Sequence, residues 1–283
     1  MLEPCKVVAE LGGVAVGSIE RAKKLIDLAV LCGADYVKFQ KRNPYESIPE
    51  HLKHQPHPNA CFSYGATYLE HRLALEFSID QHRELKKYCE EHHIGYASSV
   101  WDLTSAREII SLSPDYIKVP SACNLNWNLL NVLVNEYEGD IHISTGMITQ
   151  DEKKLLYQKI KDLDIFSRVV IYHCTSEYPC PFERLSLLEL ERLKWWGCKL
   201  GYSGHNFGIS CDILTYMVGC RWIERHFVDD RTFRHTDAAA SLEPSGLAKL
   251  VRDLKNARLA LTYKDEIGKI EMEQRKKLKN EQN

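Results

Sequence analysis

The sequence predicts an α/β protein folded as one (β/α)8 barrel, the TIM-barrel architecture, and three observations predict it. Short apolar runs alternate with longer amphipathic segments eight times along the chain, the pattern of parallel strands joined by helical crossovers. The length of 283 residues suits a single barrel, which takes about 250 residues. Each strand-like run also carries polar residues at or just beyond its C-terminal end, where a barrel places its active site. The rival for the same alternation is an open, doubly wound sheet.

The first run, KVVAEL (6–11), ends in Glu10, and Ser18 is placed to cap the amphipathic segment 18–33. The second, DYVKFQ (35–40), carries Lys38 and Gln40. After it comes 41–77, a long non-periodic stretch rich in Pro, His, Asn and Tyr, of a length usually reserved for function. Ser78 caps the next amphipathic segment, 78–93. The third run, IGYASSV (94–100), carries Ser98 and Ser99, and the fourth, DYIKVPS (115–121), carries Lys118 and Ser121. The fifth, DIHISTG (140–146), offers Ser144 and Thr145, and the sixth, RVVIYHC (168–174), offers His173 with Thr175 and Tyr178 beyond it. The seventh, KLGYSG (199–204), leads from Ser203 to His205. The eighth, CRWIERHF (220–227), carries Glu224 and His226, with Asp237 in the loop that follows. A helix over 245–261 closes the barrel, so the domain is expected to span 1–263. The charged remainder, 264–283, reads as a solvated helix or frayed tail.

Composition excludes several classes. A net charge of −2 argues against a nucleic-acid partner, which asks for a basic face. No apolar run approaches the roughly 18 residues of a membrane span, and the N-terminus lacks the pattern of a secretory signal. Ten scattered cysteines without a CxxC pair read as buried free thiols of a cytoplasmic protein. Cys89 with His92 and His93 looks like a metal cluster but reads as the end of an amphipathic helix.

Single strand-end polar residues are commonplace, but eight strands ending this way point to chemistry, because buried polar groups are costly unless paired. His205 and His226 end adjacent strands, about 5 Å apart. Two imidazoles at that spacing can hold one divalent cation, with Glu10 or Asp237 completing the shell, and mixed N and O ligands suit Mn²⁺, Zn²⁺ or Fe²⁺. Lys38 and Lys118, with Ser99, Ser121 and Ser144, form a cradle for a phosphate and a carboxylate. The alternative is that both lysines are structural partners of Glu10 and Glu224.

Nine segments in order carry a resemblance: AELG (9–12), ADYVKFQ (34–40), ASSVWD (97–102), IKVPSA (117–122), ISTGMIT (143–149), HCTSEYP (173–179), GYSGH (201–205), IERHF (223–227) and TDAAASLEP (236–244). Through them the chain resembles the sialic acid synthase family, the N-acetylneuraminate synthases and their relatives. The resemblance implies a homodimer that condenses phosphoenolpyruvate with a sugar aldehyde, giving a 3-deoxy-2-ulosonic acid and phosphate. It implies Mn²⁺ or Mg²⁺ on His205 and His226. Phosphoenolpyruvate would lie on Lys38, Ser99, Lys118, Ser121, Ser144 and Ser203. Glu10, Gln40, Tyr178 and Asp237 would surround the metal, the attacking water and the sugar, and Asn59 would contact the sugar.

Departures cluster on the acceptor side. Val14 and Ala15 stand where the family usually has Asn-His, Cys123 where it has Glu, Ser176 where it has Asn, Gly204 where it has Asp, and Ala238 where it has His. Cys123 and Ser176 would then wall the sugar site, and His235 would be a loop residue, not a ligand. The family's C-terminal antifreeze-like domain, which supplies an arginine to the partner's sugar, is not expected after residue 263. These changes predict an acceptor other than that of the usual N-acetylneuraminate synthases, or a separate chain that supplies the missing contacts. Rival functions are a catalytically lapsed sugar-binding barrel or partner subunit, and a metal-dependent aldolase on another aldehyde.

Overall fold

A computed structural model describes residues 2–280. Among them, eight strands form one closed, all-parallel barrel in sequence order: β1 (Lys6–Glu10), β2 (Tyr36–Lys41), β3 (Gly95–Val100), β4 (Tyr116–Val119), β5 (Asp140–Ser144), β6 (Val169–His173), β7 (Lys199–Gly204) and β8 (Trp222–His226). Closure comes from β1, which pairs with β2 on one side and β8 on the other, setting Glu10 level with both Lys38 and His226. The open-sheet alternative is thereby excluded, and no strand is left with an unpaired edge.

Helices wrap the outside: α1 (Ile19–Cys32), α2 (Pro44–Ser47), α3 (Glu50–Lys53), α4 (Tyr68–Leu75), α5 (Ile79–Glu91), α6 (Leu103–Ile110), α7 (Trp127–Glu136), α8 (Gln150–Asp162), α9 (Glu189–Lys194), α10 (Ser210–Val218), α11 (Pro244–Ala260) and α12 (Lys269–Leu278). Ser18 and Ser78 cap α1 and α5 as the sequence suggests, and Gly33 ends α1 in the left-handed conformation. Cys89, His92 and His93 close α5, with Cys89 fully buried. The stretch 41–77 differs from its reading as a loop. It holds α2, α3 and α4, started by an Asn43 cap ahead of Pro44 and by a Thr67–Glu70 capping box. Helices this short are set by their caps and leave no apolar period to read. Beyond the barrel, α12 buries no side chain; residues 281–283 of the expected tail lie outside the described residues. No helix among the described residues is long and apolar enough to cross a membrane, and all ten cysteines are free.

Two cores sit on either side of the strands. Outward-facing Val7, Val37, Ile117, Ile143 and Ile171 pack under the helices. Inside the barrel, Tyr36, Tyr116 and Trp222 form an aromatic layer, with His142 stacked on Tyr116 at 3.7 Å between ring centroids. Tyr172 joins it through a 3.0 Å hydrogen bond with His142. Gly201 is required here, since a Cβ at that position would come within 2.6 Å of the Tyr172 ring.

His82 of α5 gives a pH prediction. It is fully buried, pairs through Nδ1 with the Tyr96 hydroxyl at 2.6 Å and packs edge-on against Phe39 and Phe77. Burial, aided by the Lys41 charge, pushes its pKa down to about 3. The unfolded chain protonates this imidazole near pH 6.5, whereas the native state keeps it neutral. Its contribution is therefore intact above that value and lost as pH falls towards 3. Urea unfolding from pH 7 to pH 5 should show the wild type losing stability relative to His82→Phe by about 1.4 kcal/mol per pH unit below 6. Parallel curves would contradict this.

Candidate active site

A cavity of about 240 Å³ opens at the C-terminal ends of the strands, and every expected site residue except Asn59 and Cys123 lines it. Its floor lies directly above the aromatic layer and carries four buried charges. Lys38 bonds the Glu10 carboxylate, reaches Ser99 Oγ at 2.7 Å and lies 3.7 Å from Glu224. Lys118 contacts Glu224 at 2.7 Å and sits over the Tyr172 ring. Ser203 donates to Glu224 at 3.4 Å. Both lysines thus have carboxylate partners, the arrangement weighed in the sequence against an anion cradle, but the pairing is uneven. Burial opposes the charge on Lys38, and Glu10 with Glu224 outweighs it, so its pKa is raised. On Lys118 burial prevails, aided by repulsion from Lys38, and its pKa is lowered despite Glu224. Glu224 is held down to about 2: burial alone would raise it, but the two lysines outweigh that effect. Lys118 is therefore the cation that an incoming anion would stabilise most.

One wall is a relay from β1 and β2. Glu10 Oε1 accepts from the Gly12 amide at 3.1 Å and from the Gln40 side-chain amide at 2.7 Å, and Gln40 in turn accepts from Arg42. The opposite wall follows β4 to β6. Ser121 Oγ lies 3.1 Å from Cys174 Sγ, and Ser176 Oγ is buried without a partner. A Cβ at Gly146 would meet all three groups within 2.8 Å, so glycine there lets them converge. Asn124 fixes this loop by donating to the carbonyls of Ser144 and Gly146 at 2.9 and 3.0 Å.

Above the floor, His205 and His226 face each other with ring centroids 5.5 Å apart, and the Tyr178 ring packs at a tilt against His205, 4.1 Å between centroids. His205 Nδ1 is 2.8 Å from the Thr175 carbonyl. The carbonyl can only accept, so Nδ1 carries the proton and Nε2 keeps its lone pair. Burial, with His226 beside it, pushes the His205 pKa down to about 3, so the imidazole is neutral. Asp237 Oδ2 lies 3.7 Å from Nδ1 of both His226 and His235. Among the described residues no three His, Cys, Asp or Glu side chains converge closely enough to cage a metal ion. What fits a divalent cation is an open pair: a neutral imidazole oriented by a backbone carbonyl, as ligating histidines are, a second imidazole, and a carboxylate beside it.

Asn59 is exposed and caps a turn of 3-10 helix at 60–62. Cys123 lies behind the wall with its thiol 3.4 Å from the Trp101 carbonyl, and burial pushes its pKa up to about 11. Sequence reasoning missed Arg42, Arg72, Trp101 and the ring of His235, all of which line the cavity. Arg42 continues the alternation of Lys38 and Gln40 and was legible in principle. Arg72 comes from α4, which gave no signal.

The NeuB family matches residues 25–266. This chain belongs to the NeuB family. It is 34% identical to the N-acetylneuraminate-9-phosphate synthase of Homo sapiens over 260 residues, 91% of this chain and 71% of that protein. It is 30% identical to the N,N'-diacetyllegionaminic acid synthase of Campylobacter jejuni over 257 residues, 90% of this chain and 77% of the relative. Among solved structures, the N-acetylneuraminic acid (sialic acid) synthetase of Leptospira borgpetersenii, in complex with citrate, superposes with a TM-score of 0.80 at 25% identity, covering 99% of this chain and 94% of that one. The NeuB chain is accordingly a transferase of the nonulosonate-synthase type, on a barrel whose strand ends converge on one cavity.

Proposed function

We propose that this NeuB barrel condenses phosphoenolpyruvate with a sugar aldehyde, and that its cavity binds the two substrates one above the other. The observation that carries this reading is the apposition of two buried lysines on the floor with the paired imidazoles of His205 and His226 above them. Phosphoenolpyruvate, with a phosphate and a carboxylate, takes the floor. There Lys118, which shares Glu224 with Lys38, gains a further counter-charge, and Ser99, Ser144 and Ser203 supply hydroxyl donors. A divalent cation, Mn²⁺ or Mg²⁺, held by His205 and His226 with Asp237 adjacent, would act as a Lewis acid towards the acceptor aldehyde.

The chain's own groups do the rest. C3 of phosphoenolpyruvate attacks the aldehyde carbon while Lys38 and Lys118 hold the carboxylate and phosphate against the developing charge. Glu10, locked by Gly12 and Gln40, positions the water that adds at C2; phosphate then leaves with C–O cleavage, so enol phosphate, aldehyde and water become a 2-keto-3-deoxy acid and inorganic phosphate. Holding both substrates in place removes up to about 7–11 kcal/mol of entropic barrier in the best cases.

Phosphate release from phosphoenolpyruvate, run against a panel of sugar aldehydes with and without Mn²⁺, tests the reading. No consumption with any aldehyde would end it. Within that assay, Lys118→Met should raise the apparent binding constant for phosphoenolpyruvate by about tenfold or more, the effect of losing one charged donor to a desolvated anion. An unchanged constant would assign Lys118 to structure alone.

A further inference from the structure

Of the two floor lysines, Lys118 has the weaker ionic support. Its carboxylate partner is Glu224, whose Oε1 accepts from Lys118 at 2.7 Å, lies 3.7 Å from Lys38 and takes the Ser203 hydroxyl at 3.4 Å. Lys38 has Glu10 and Ser99 besides. The groups that act on Lys118 come from all around the barrel. Lys38 is on β2, Glu224 on β8, Tyr172 and Cys174 on and just past β6, and His142, its register partner, on β5. The neutral His205 stands higher up, beyond β7, and Glu10 of β1 is engaged by Lys38. Beneath the ammonium lies the Tyr172 ring, its centroid 4.4 Å from Nζ.

Three contacts fix that ring. Tyr172 is the register partner of Gly201 on β7, where a Cβ would come within 2.6 Å of it. Its hydroxyl pairs with His142 Nδ1 at 3.0 Å. His142 in turn is stacked on Tyr116, 3.7 Å between centroids and 9° between planes, and meets the Trp222 ring edge-on at 4.6 Å. Burial, aided by the Lys118 charge, pushes the His142 pKa well down, so this prop is neutral and adds no second cation under the lysine. Aliphatic side chains would fill the bore without polar atoms to satisfy. Here His142 Nε2 and the Tyr116 hydroxyl are buried without a hydrogen-bond partner, a cost that packing alone does not ask for. What the layer gains is an aromatic face under a cation. The ring quadrupole attracts an ammonium, and the attraction grows when both are desolvated.

Resting on the proposed condensation, we propose that Tyr172, propped by His142, is a positioning residue for phosphoenolpyruvate, its ring face keeping the Lys118 ammonium charged and aimed at the anion on the floor. The tyrosine touches no substrate and acts through the lysine. Burial opposes the charge on Lys118, and the ring favours the ammonium over the free amine. Removing the face therefore lets Lys118 lose its proton at lower pH, and affinity for phosphoenolpyruvate falls earlier as pH rises. Lys38, raised by Glu10 and Glu224, keeps its proton longer, so the first basic limb belongs to Lys118.

Calorimetric titration of the full chain with phosphoenolpyruvate, from about pH 7 to about pH 10, tests this; over that range the phosphate is already doubly ionised, its second pKa being about 6. Wild-type affinity should fall along a basic limb. Tyr172→Leu should move that limb down by about half to one and a half pH units, the equivalent of a desolvated cation–π contact. Tyr172→Phe keeps the face and should hold the limb within about 0.3 of a pH unit of the wild type. Affinity lowered by one factor at every pH, with the limb unmoved in Tyr172→Leu, would make the tyrosine merely structural and overturn the proposal. So would a limb that moves as far in Tyr172→Phe as in Tyr172→Leu. Should Tyr172→Leu fail to fold, Tyr172→Leu combined with His142→Leu, which removes both members of the hydrogen bond, takes its place. A wild type that binds no phosphoenolpyruvate at any pH would end the condensation itself, whereas binding with an unmoved limb ends this inference alone.

Discussion

His205→Ala is expected to lower turnover by about a hundredfold to a thousandfold, the range seen when one preorganised electrophilic group is removed from an active site, while the unfolding midpoint stays near that of the wild type. His205 hangs from the end of β7 with Nδ1 committed to the Thr175 carbonyl, and its neutral state leaves the Nε2 lone pair as the only free valence of the ring. Alanine removes that lone pair and no ion pair. The Thr175 carbonyl it exposes can be hydrated from the cavity. Retained Mn²⁺ affinity together with wild-type turnover would remove His205 from the site; a collapsed midpoint would assign it to structure.

The second large effect lies behind the site. Arg225, between Glu224 and His226 on β8, points outward into a fully buried ion pair with Asp212 of α10 at 2.6 Å, and donates to the carbonyls of Asn206 and Gly208 at 2.5 and 2.8 Å. These bonds clamp the loop that starts at His205. Burial outweighs the arginine's pull and raises the Asp212 pKa, so the pair is a strained solution, and deleting one partner strands the other. Asp212→Ala should cost about 3–5 kcal/mol, a large part of the 5–15 kcal/mol typical of a folded domain. Asp212→Leu combined with Arg225→Met should recover most of that loss, because replacing both charges removes both desolvation penalties. Urea unfolding of the three chains checks it; a loss below about 1 kcal/mol in the single variant would show that the pair is not buried as described.

The barrel was legible in the sequence because its strands are short, mostly apolar runs alternating with amphipathic segments, and all eight begin and end within two residues of their expected limits. The cavity was legible for a related reason. In a barrel the inward residues near the strand ends face one place, so Glu10, Lys38, Ser99, Lys118, Ser144, Ser203, Glu224 and His226 could be grouped without knowing any contact. What lay beyond strand ends was harder. Arg72 reaches the cavity from a helix of 8 residues started by a capping box, and nothing in its own neighbourhood says where that helix docks. Asn59 and Cys123 went the other way. Each was placed at the site by alignment with a family pattern, but local bonds, an Asn cap and a thiol turned towards Trp101, hold them off the wall. The pairing of Lys38 and Lys118 with Glu10 and Glu224 was foreseen as a possibility, yet its asymmetry depends on depth, which a sequence does not carry.

The aromatic layer of Tyr36, Tyr116, His142, Tyr172 and Trp222 does more than fill the barrel. It stops the bore immediately below the charged floor, so the chamber has one door. Whatever binds at Lys118 must pass the histidines to get there, and a sugar bound above as proposed would seal the floor from above as the aromatic layer does from below. Traffic through such a blind shaft is last in, first out: the enol phosphate would have to load before the sugar, and the long product would have to clear the mouth before the next enol phosphate could descend.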